Sequence, residues 1–98
     1  MCSSDLIEDL GFCKQGTGGA YTERGETGLK GTHPVNPSGG LKARGHPLAA
    51  TGVAQIVECI WQLRGRALER QVPNATRALA HSIGGLATNN WVTLLERA

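Results

Sequence analysis

Aromatic side chains are nearly missing from this chain: Phe12, Tyr21, Trp61 and Trp91 are the whole complement among 98 residues. With glycine at 14 positions, that scarcity argues against a tight helical bundle and for a small, loop-rich piece. A core drawn from 98 residues at 40% hydrophobic content suffices for one domain that is only marginally self-sufficient. Cysteine is sparse as well. Cys2, Cys13 and Cys59 form neither a paired framework nor a metal-ligand spacing, so a reducing compartment is expected and no metal site. No apolar run is long enough to cross a membrane and no basic-then-apolar signal opens the chain, so the expected location is cytoplasmic, without membrane insertion. The net charge of +2 is too small and scattered for a nucleic-acid partner. Arg64, Arg66 and Arg70 read as a solvated face rather than a phosphate patch, and Asn74-Ala-Thr76 as an incidental sequon.

What is present is concentrated in one stretch, Asn36-Pro-Ser-Gly-Gly-Leu-Lys-Ala-Arg-Gly-His-Pro-Leu-Ala-Ala-Thr-Gly52. It sets His46 between a glycine and a proline, after the Gly39-Gly40 turn and just before a helix start. A glycine-bent loop that presents an imidazole beside a helix N-terminus can hold an acid/base group where negative charge develops. For an isolated histidine, a hydrogen bond within the loop would be the plainer reading.

Along the chain, residues 7–12 read as the last turns of a helix stopped by Gly11. Residues 14–37, rich in glycine, threonine and proline, read as a long irregular excursion of the kind that is functional or packs on a partner. Val53, Ile56, Val57, Ile60 and Leu63 recur at helical spacing and predict a helix over residues 51–63, capped by Thr51 and ended at Gly65. Trp61 and Cys59 read as packing groups rather than a ligand platform and a reactive thiol. Residues 66–76 form a polar connector. Residues 77–82 and 91–96 read as two short strands joined by a glycine-containing turn, with Asn89 and Asn90 in that turn.

The 36–52 stretch resembles the Gly-His-Pro loop of the thiolase superfamily, whose usual form is Asn-x-x-Gly-Gly-x-x-x-x-Gly-His-Pro-x-Gly-Ala-Ser/Thr-Gly. It departs from that form at Ala49, where the family has glycine. The segment 8–13, the stretch around Gln71-Val-Pro, and His81-Ser-Ile-Gly-Gly85 followed by Val92-Thr-Leu-Leu95 resemble sterol-carrier-protein-type and archaeal-type acetyl-CoA acetyltransferases. The resemblance runs from about Ile7 to the end. It implies an α/β fold, namely the C-terminal portion of the thiolase fold: a βαβ half with a buried central helix and a closing strand pair. Residues 7–98 would be a partial domain, its cysteine nucleophile lying in a half not contained here. Residues 1–6 fit the family poorly and are expected to be a non-native, adapter-derived leader. The same six residues encoded in a complete gene would overturn that.

What the resemblance implies for chemistry is Claisen condensation or thiolysis of a 3-oxoacyl thioester through a cysteine acyl-enzyme. His46 would act as acid/base and the Gly84 N–H as an oxyanion donor. Asn36, Gly39, Gly40, Gly45, Pro47 and Ala49 would shape the coenzyme A side of the site. Lys42 and Arg44 are candidates for its phosphates, with plain surface charge an equal reading, and His33 has no motif support. Coenzyme A thioesters would be substrates, with no permanently bound cofactor. A homodimer or larger oligomer is expected, with a zinc-ribbon/OB-fold protein as an optional partner. Ser82 stands where most thiolases have the second catalytic cysteine, and a serine hydroxyl is too weak an acid to replace a thiolate unaided. Three explanations stay open: a base in an upstream His-Asp-Cys-Phe-type segment, His81 on the opposite strand face from Ser82, or a thiolase-like aldolase reaction that needs no such base. A non-catalytic acyl-coenzyme A or lipid-binding homologue is the remaining alternative. The chain alone is expected to be inactive. If position 49 required a left-handed backbone, Ala49 would be strained there.

Overall fold

A computed structural model describes residues 3–98, so Met1 and the expected reduced thiol of Cys2 lie outside the described residues. The chain divides into two compact units, residues 1–37 and 38–98.

In the first unit, helix α1 (Ser3–Asp9) turns off at Gly11, whose φ of 80° places it in the left-handed region. Helix α2 (Gly18–Glu23) lies within the stretch expected to be irregular. Sequence periodicity missed it because it is one and a half turns long and buries Tyr21 as its only large side chain. Its start is organised from a distance. Thr17 makes no side-chain cap, and the Glu8 carboxylate of α1 accepts the backbone N–H groups of Gly16 and Gly18 at 2.9 and 2.7 Å. Those two donors hold the Glu8 pKa below the usual carboxylate range. His33 is packed in this unit. Its Nδ1 lies 2.5 Å from the Tyr21 hydroxyl and its ring stacks on Phe12 at 4.8 Å between centroids.

The second unit holds helices α3 (Gly40–Arg44) and α4 (Thr51–Leu63), a short 3-10 turn (Leu68–Arg70), and strands β1 (Arg77–Gly84) and β2 (Asn89–Glu96). Helix α4 has the bounds that its periodicity predicts, and its end is set by backbone chemistry. Gly65 adopts φ 69°, and the N–H groups of Gly65 and Arg66 return to the carbonyls of Gln62 and Trp61, closing the last turn. The cap at its start differs from expectation. Ala50 occupies the N-cap with no side-chain bond, and Thr51 is the first helical residue, its hydroxyl turned back toward the loop.

Strands β1 and β2 pair antiparallel, Ala80 opposite Thr93 and Ser82 opposite Trp91. Both strands are longer than the sequence suggests, and the turn is residues 85–88. Asn89 and Asn90 therefore belong to β2, and the Asn90 amide reaches back to donate to the Ala87 carbonyl at 2.8 Å. Helix α4 packs on the hairpin through the face that carries buried Ala80 and Ser82. The other face presents Ile83, Val92 and Leu94, all exposed. The protein is thus α/β, with the closing strand pair as its sheet among the described residues. The central helix is only partly covered: Leu63 is buried, whereas Val53 is 66% exposed. The expected single stripe merges two sides of a helix that is apolar around much of its circumference.

The connector after α4 is tied down by two glutamines. Gln62, only 6% exposed, donates to the Arg70 carbonyl at 2.8 Å and accepts the Val72 N–H at 2.8 Å. Gln71 donates to the Gln62 carbonyl and accepts the N–H of Ala67, which is fully buried. Arg70 is not a solvated cation, contrary to expectation. Its guanidinium forks onto the Glu58 carboxylate at 2.9 Å and lies 5.4 Å over the Trp61 ring. Twelve residues separate the pair, a distance at which sequence pattern carries no signal.

Burial alone would push the Glu58 pKa up, but the Arg70 fork and the Gln62 amide outweigh it and hold the carboxyl below the usual range. A depressed carboxylate stabilises the fold at pH values above its unfolded pKa, and that contribution is lost as pH falls through the folded one. The urea midpoint should therefore decline as pH falls below the ordinary glutamate value of about 4.3. Glu58→Gln should flatten part of that decline, leaving the share due to Glu8 and Glu26, which are also depressed.

Candidate functional site

The loop between α3 and α4 is shaped by glycine backbone. Gly39 and Gly40, at φ 84° and 64°, open α3, and Gly45, at φ 84° and ψ 175°, ends it. A side chain at Gly45 would be strained in that conformation, so the bend that turns His46 out of α3 depends on glycine there. Pro47 follows, and its carbonyl accepts the N–H groups of Ala50 and Thr51, both at 2.9 Å, which seats the loop on the start of α4. Ala49 is not among the residues with positive φ, so its methyl is unstrained; it lines a trough beside α4.

His46 is exposed as a residue, yet one ring edge is held. Its Nδ1 lies 2.8 Å from Thr51 Oγ1, and that hydroxyl, in a residue only 7% exposed, also donates to the Pro47 carbonyl at 3.0 Å. The next residue, Gly52, faces β1: a methyl at Gly52 would stand 3.8 Å from Ser82 Oγ. The structure therefore sets the start of α4, at Gly52, against the strand face that carries Ser82. His81 is on the other face, its Nε2 3.2 Å from Asn90 Oδ1, and its carbonyl accepts the Gln55 amide at 3.1 Å. Gly84 ends β1 opposite Asn89, two residues beyond Ser82 on the same side. Asn36 belongs to the first unit, where it adopts φ 49° and lines a small cavity with Ile7 and Val35.

An open trough of about 740 Å³ runs along α4, walled by Val53, Ala54, Val57 and Trp61 with Arg44 and Arg70 at its sides. Neither His46 nor Ser82 nor Gly84 lines it. Lys42 is exposed on α3 and Arg44 borders the trough, so the two cations that flank the loop have different surroundings. Burial, reinforced by the Glu58 charge, pushes the Cys59 thiol pKa up, the opposite of what a nucleophile requires. Sequence reasoning missed Thr51 as the partner of His46. The available signal was a hydroxyl five residues after the histidine, read there as a cap.

The profile of the thiolase C-terminal domain-like family matches residues 4–97, and the chain belongs to that family. It is 54% identical over 91 residues to an acetyl-CoA acetyltransferase of Methanothermobacter thermautotrophicus, a match covering 93% of this chain and 24% of the relative. It is 56% identical over 84 residues to sterol carrier protein 2 of Bos taurus, covering 84% of this chain and 16% of the relative. With the non-specific lipid-transfer protein-like 2 of Caenorhabditis elegans it shares 48% identity over 77 residues, 79% of this chain and 19% of the relative. The chain thus spans a quarter or less of the length of these relatives. No helix among the described residues is long and apolar enough to cross a membrane.

Proposed function

We propose that this chain is the C-terminal part of a coenzyme A-dependent acyltransferase of thiolase type, acting on 3-oxoacyl thioesters. The observation that carries the proposal is His46, held at Nδ1 by the buried Thr51 hydroxyl at the start of the helix that packs on the hairpin, in a chain of this family. A cysteine thiol from outside the chain gives its proton to the imidazole, and the thiolate displaces the thioester's leaving carbanion or thiolate. The imidazolium then donates to the oxygen on which enolate charge gathers, and the Gly84 N–H offers a second donor to such an oxygen. Thioester exchange by cysteine and histidine runs without a resident metal or redox group. With His81 on the far face from Thr51 and Ser82, the second base belongs to the upstream segment of the longer polypeptide. The chain by itself is inactive, its substrate is an acyl-coenzyme A, and the working protein is a homo-oligomer in the cytoplasm.

The serine at position 82 and the lipid-transfer names among the relatives favour one other reading, a homologue that binds acyl-coenzyme A without turnover. The deciding assay uses the complete polypeptide with acetoacetyl-coenzyme A and free coenzyme A. Formation of two acetyl thioesters supports the acyltransferase. Release of an aldehyde or ketone from a β-hydroxyacyl thioester identifies a lyase, and saturable binding without either product identifies the binding protein.

A further inference from the structure

The Thr51 hydroxyl stands between two groups and has one proton to give. On one side is the Pro47 carbonyl at 3.0 Å, which can only accept; on the other is His46 Nδ1 at 2.8 Å, which accepts or donates according to tautomer. The Pro47 carbonyl also accepts the N–H groups of Ala50 and Thr51, both at 2.9 Å, and the hydroxyl joins them as a third donor in a threonine-to-carbonyl contact four residues back. Once that proton is committed, the hydroxyl can offer His46 only a lone pair. The neutral ring must then carry its hydrogen on Nδ1, which leaves the Nε2 lone pair on the opposite edge. Thr51 is buried while His46 is exposed, and Nδ1 is the ring nitrogen that the fold holds.

We propose that Thr51 is a positioning residue: its hydroxyl relays the Pro47 carbonyl to His46 and fixes the imidazole as the Nδ1–H tautomer, with Nε2 free to take a proton. The free imidazole ring prefers the other tautomer, so this selection is work done by the fold. It rests on the acyltransferase reading for its purpose, since a base that must accept a thiol proton at Nε2 needs that nitrogen unprotonated. The tautomer itself is a property of this chain and can be measured apart from any activity.

The test is a two-bond ¹⁵N–¹H spectrum of the 98-residue chain with labelled histidine, recorded about two pH units above an ordinary imidazole pKa so that neutral rings dominate. His33→Gln and His81→Gln assign the three rings. In the unaltered chain His46 should show a pyrrole-type Nδ1 and a pyridine-type Nε2. Thr51→Val removes the hydroxyl at nearly constant volume and should move the hydrogen to Nε2, while Thr51→Ser should restore the original pattern. An unchanged His81 signal, whose Nε2 is paired with Asn90 Oδ1, reports that the hairpin remains folded, and an unchanged circular dichroism spectrum reports the same of the helices. A pyridine-type Nδ1 in the unaltered chain, or a pattern that Thr51→Val leaves untouched, overturns the proposal. In the complete polypeptide, Thr51→Val should lower kcat by about 10–100-fold with KM little changed, as loss of an orienting partner does, and Thr51→Ser should recover it. Unaltered kcat in the valine variant would overturn the positioning role even with the tautomer confirmed. Absence of turnover in the parent protein would instead refute the acyltransferase reading, with the spectra still deciding what Thr51 does.

Discussion

Replacing His46 by alanine in the complete polypeptide should lower thiolysis by about 10²–10⁴-fold, the range that a positioned general acid/base contributes. Steady-state thiolysis of acetoacetyl-coenzyme A measures it. The fold should hardly notice. His46 is exposed, and its loss removes one side-chain hydrogen bond, a cost of about 1 kcal/mol, while the Thr51 hydroxyl keeps the Pro47 carbonyl as partner. The loop that presents the ring is shaped by Gly45 and by the Pro47 carbonyl with its two backbone donors, none of which the substitution touches. A near-parental rate in His46→Ala, with the circular dichroism spectrum retained, would remove the imidazole from the chemistry.

The second large effect is on stability. Gln62→Leu should destabilise the chain by about 2–4 kcal/mol, because it leaves the part-buried Arg70 carbonyl and Val72 N–H without partners, and a group orphaned away from water costs about 1–3 kcal/mol. The comparison is Gln55→Leu, whose amide makes one bond, to the His81 carbonyl, and whose loss should cost about 1 kcal/mol. Urea unfolding of the two variants side by side tests the ordering. Equal midpoints would mean that the connector after α4 is held by something other than the Gln62 amide. A domain with only about 5–15 kcal/mol in hand has little margin for the larger loss.

Much of the local structure was legible before any coordinates. The extent of α4 follows from its apolar spacing and its end from Gly65; the glycine bend before His46 and the strand pair follow from residue type and alternation. Helix α2 was not legible, because its start is supplied by a carboxylate ten residues away rather than by a capping side chain of its own. The fork between Arg70 and Glu58 was likewise invisible: a cluster of arginines in sequence reads the same whether one of them is paired or all are solvated. For the candidate site, the motif located His46 and the positions of Ser82 and Gly84. Which edge of the imidazole is held, and which of His81 and Ser82 faces the start of α4, came from packing.

The amino-acid order by itself determined the bends at Gly45 and Gly65, the extent of α4 and the presence of the strand pair, since glycine φ and apolar period act within a few residues. Only the tertiary structure decided the partners: Thr51 for His46, Glu58 for Arg70, Gln62 for the connector, and the α4 face for Ser82. A polar side chain chooses among protein groups and water by what burial leaves within reach. That competition is settled when helix and hairpin meet, and it is not written in any single stretch of chain.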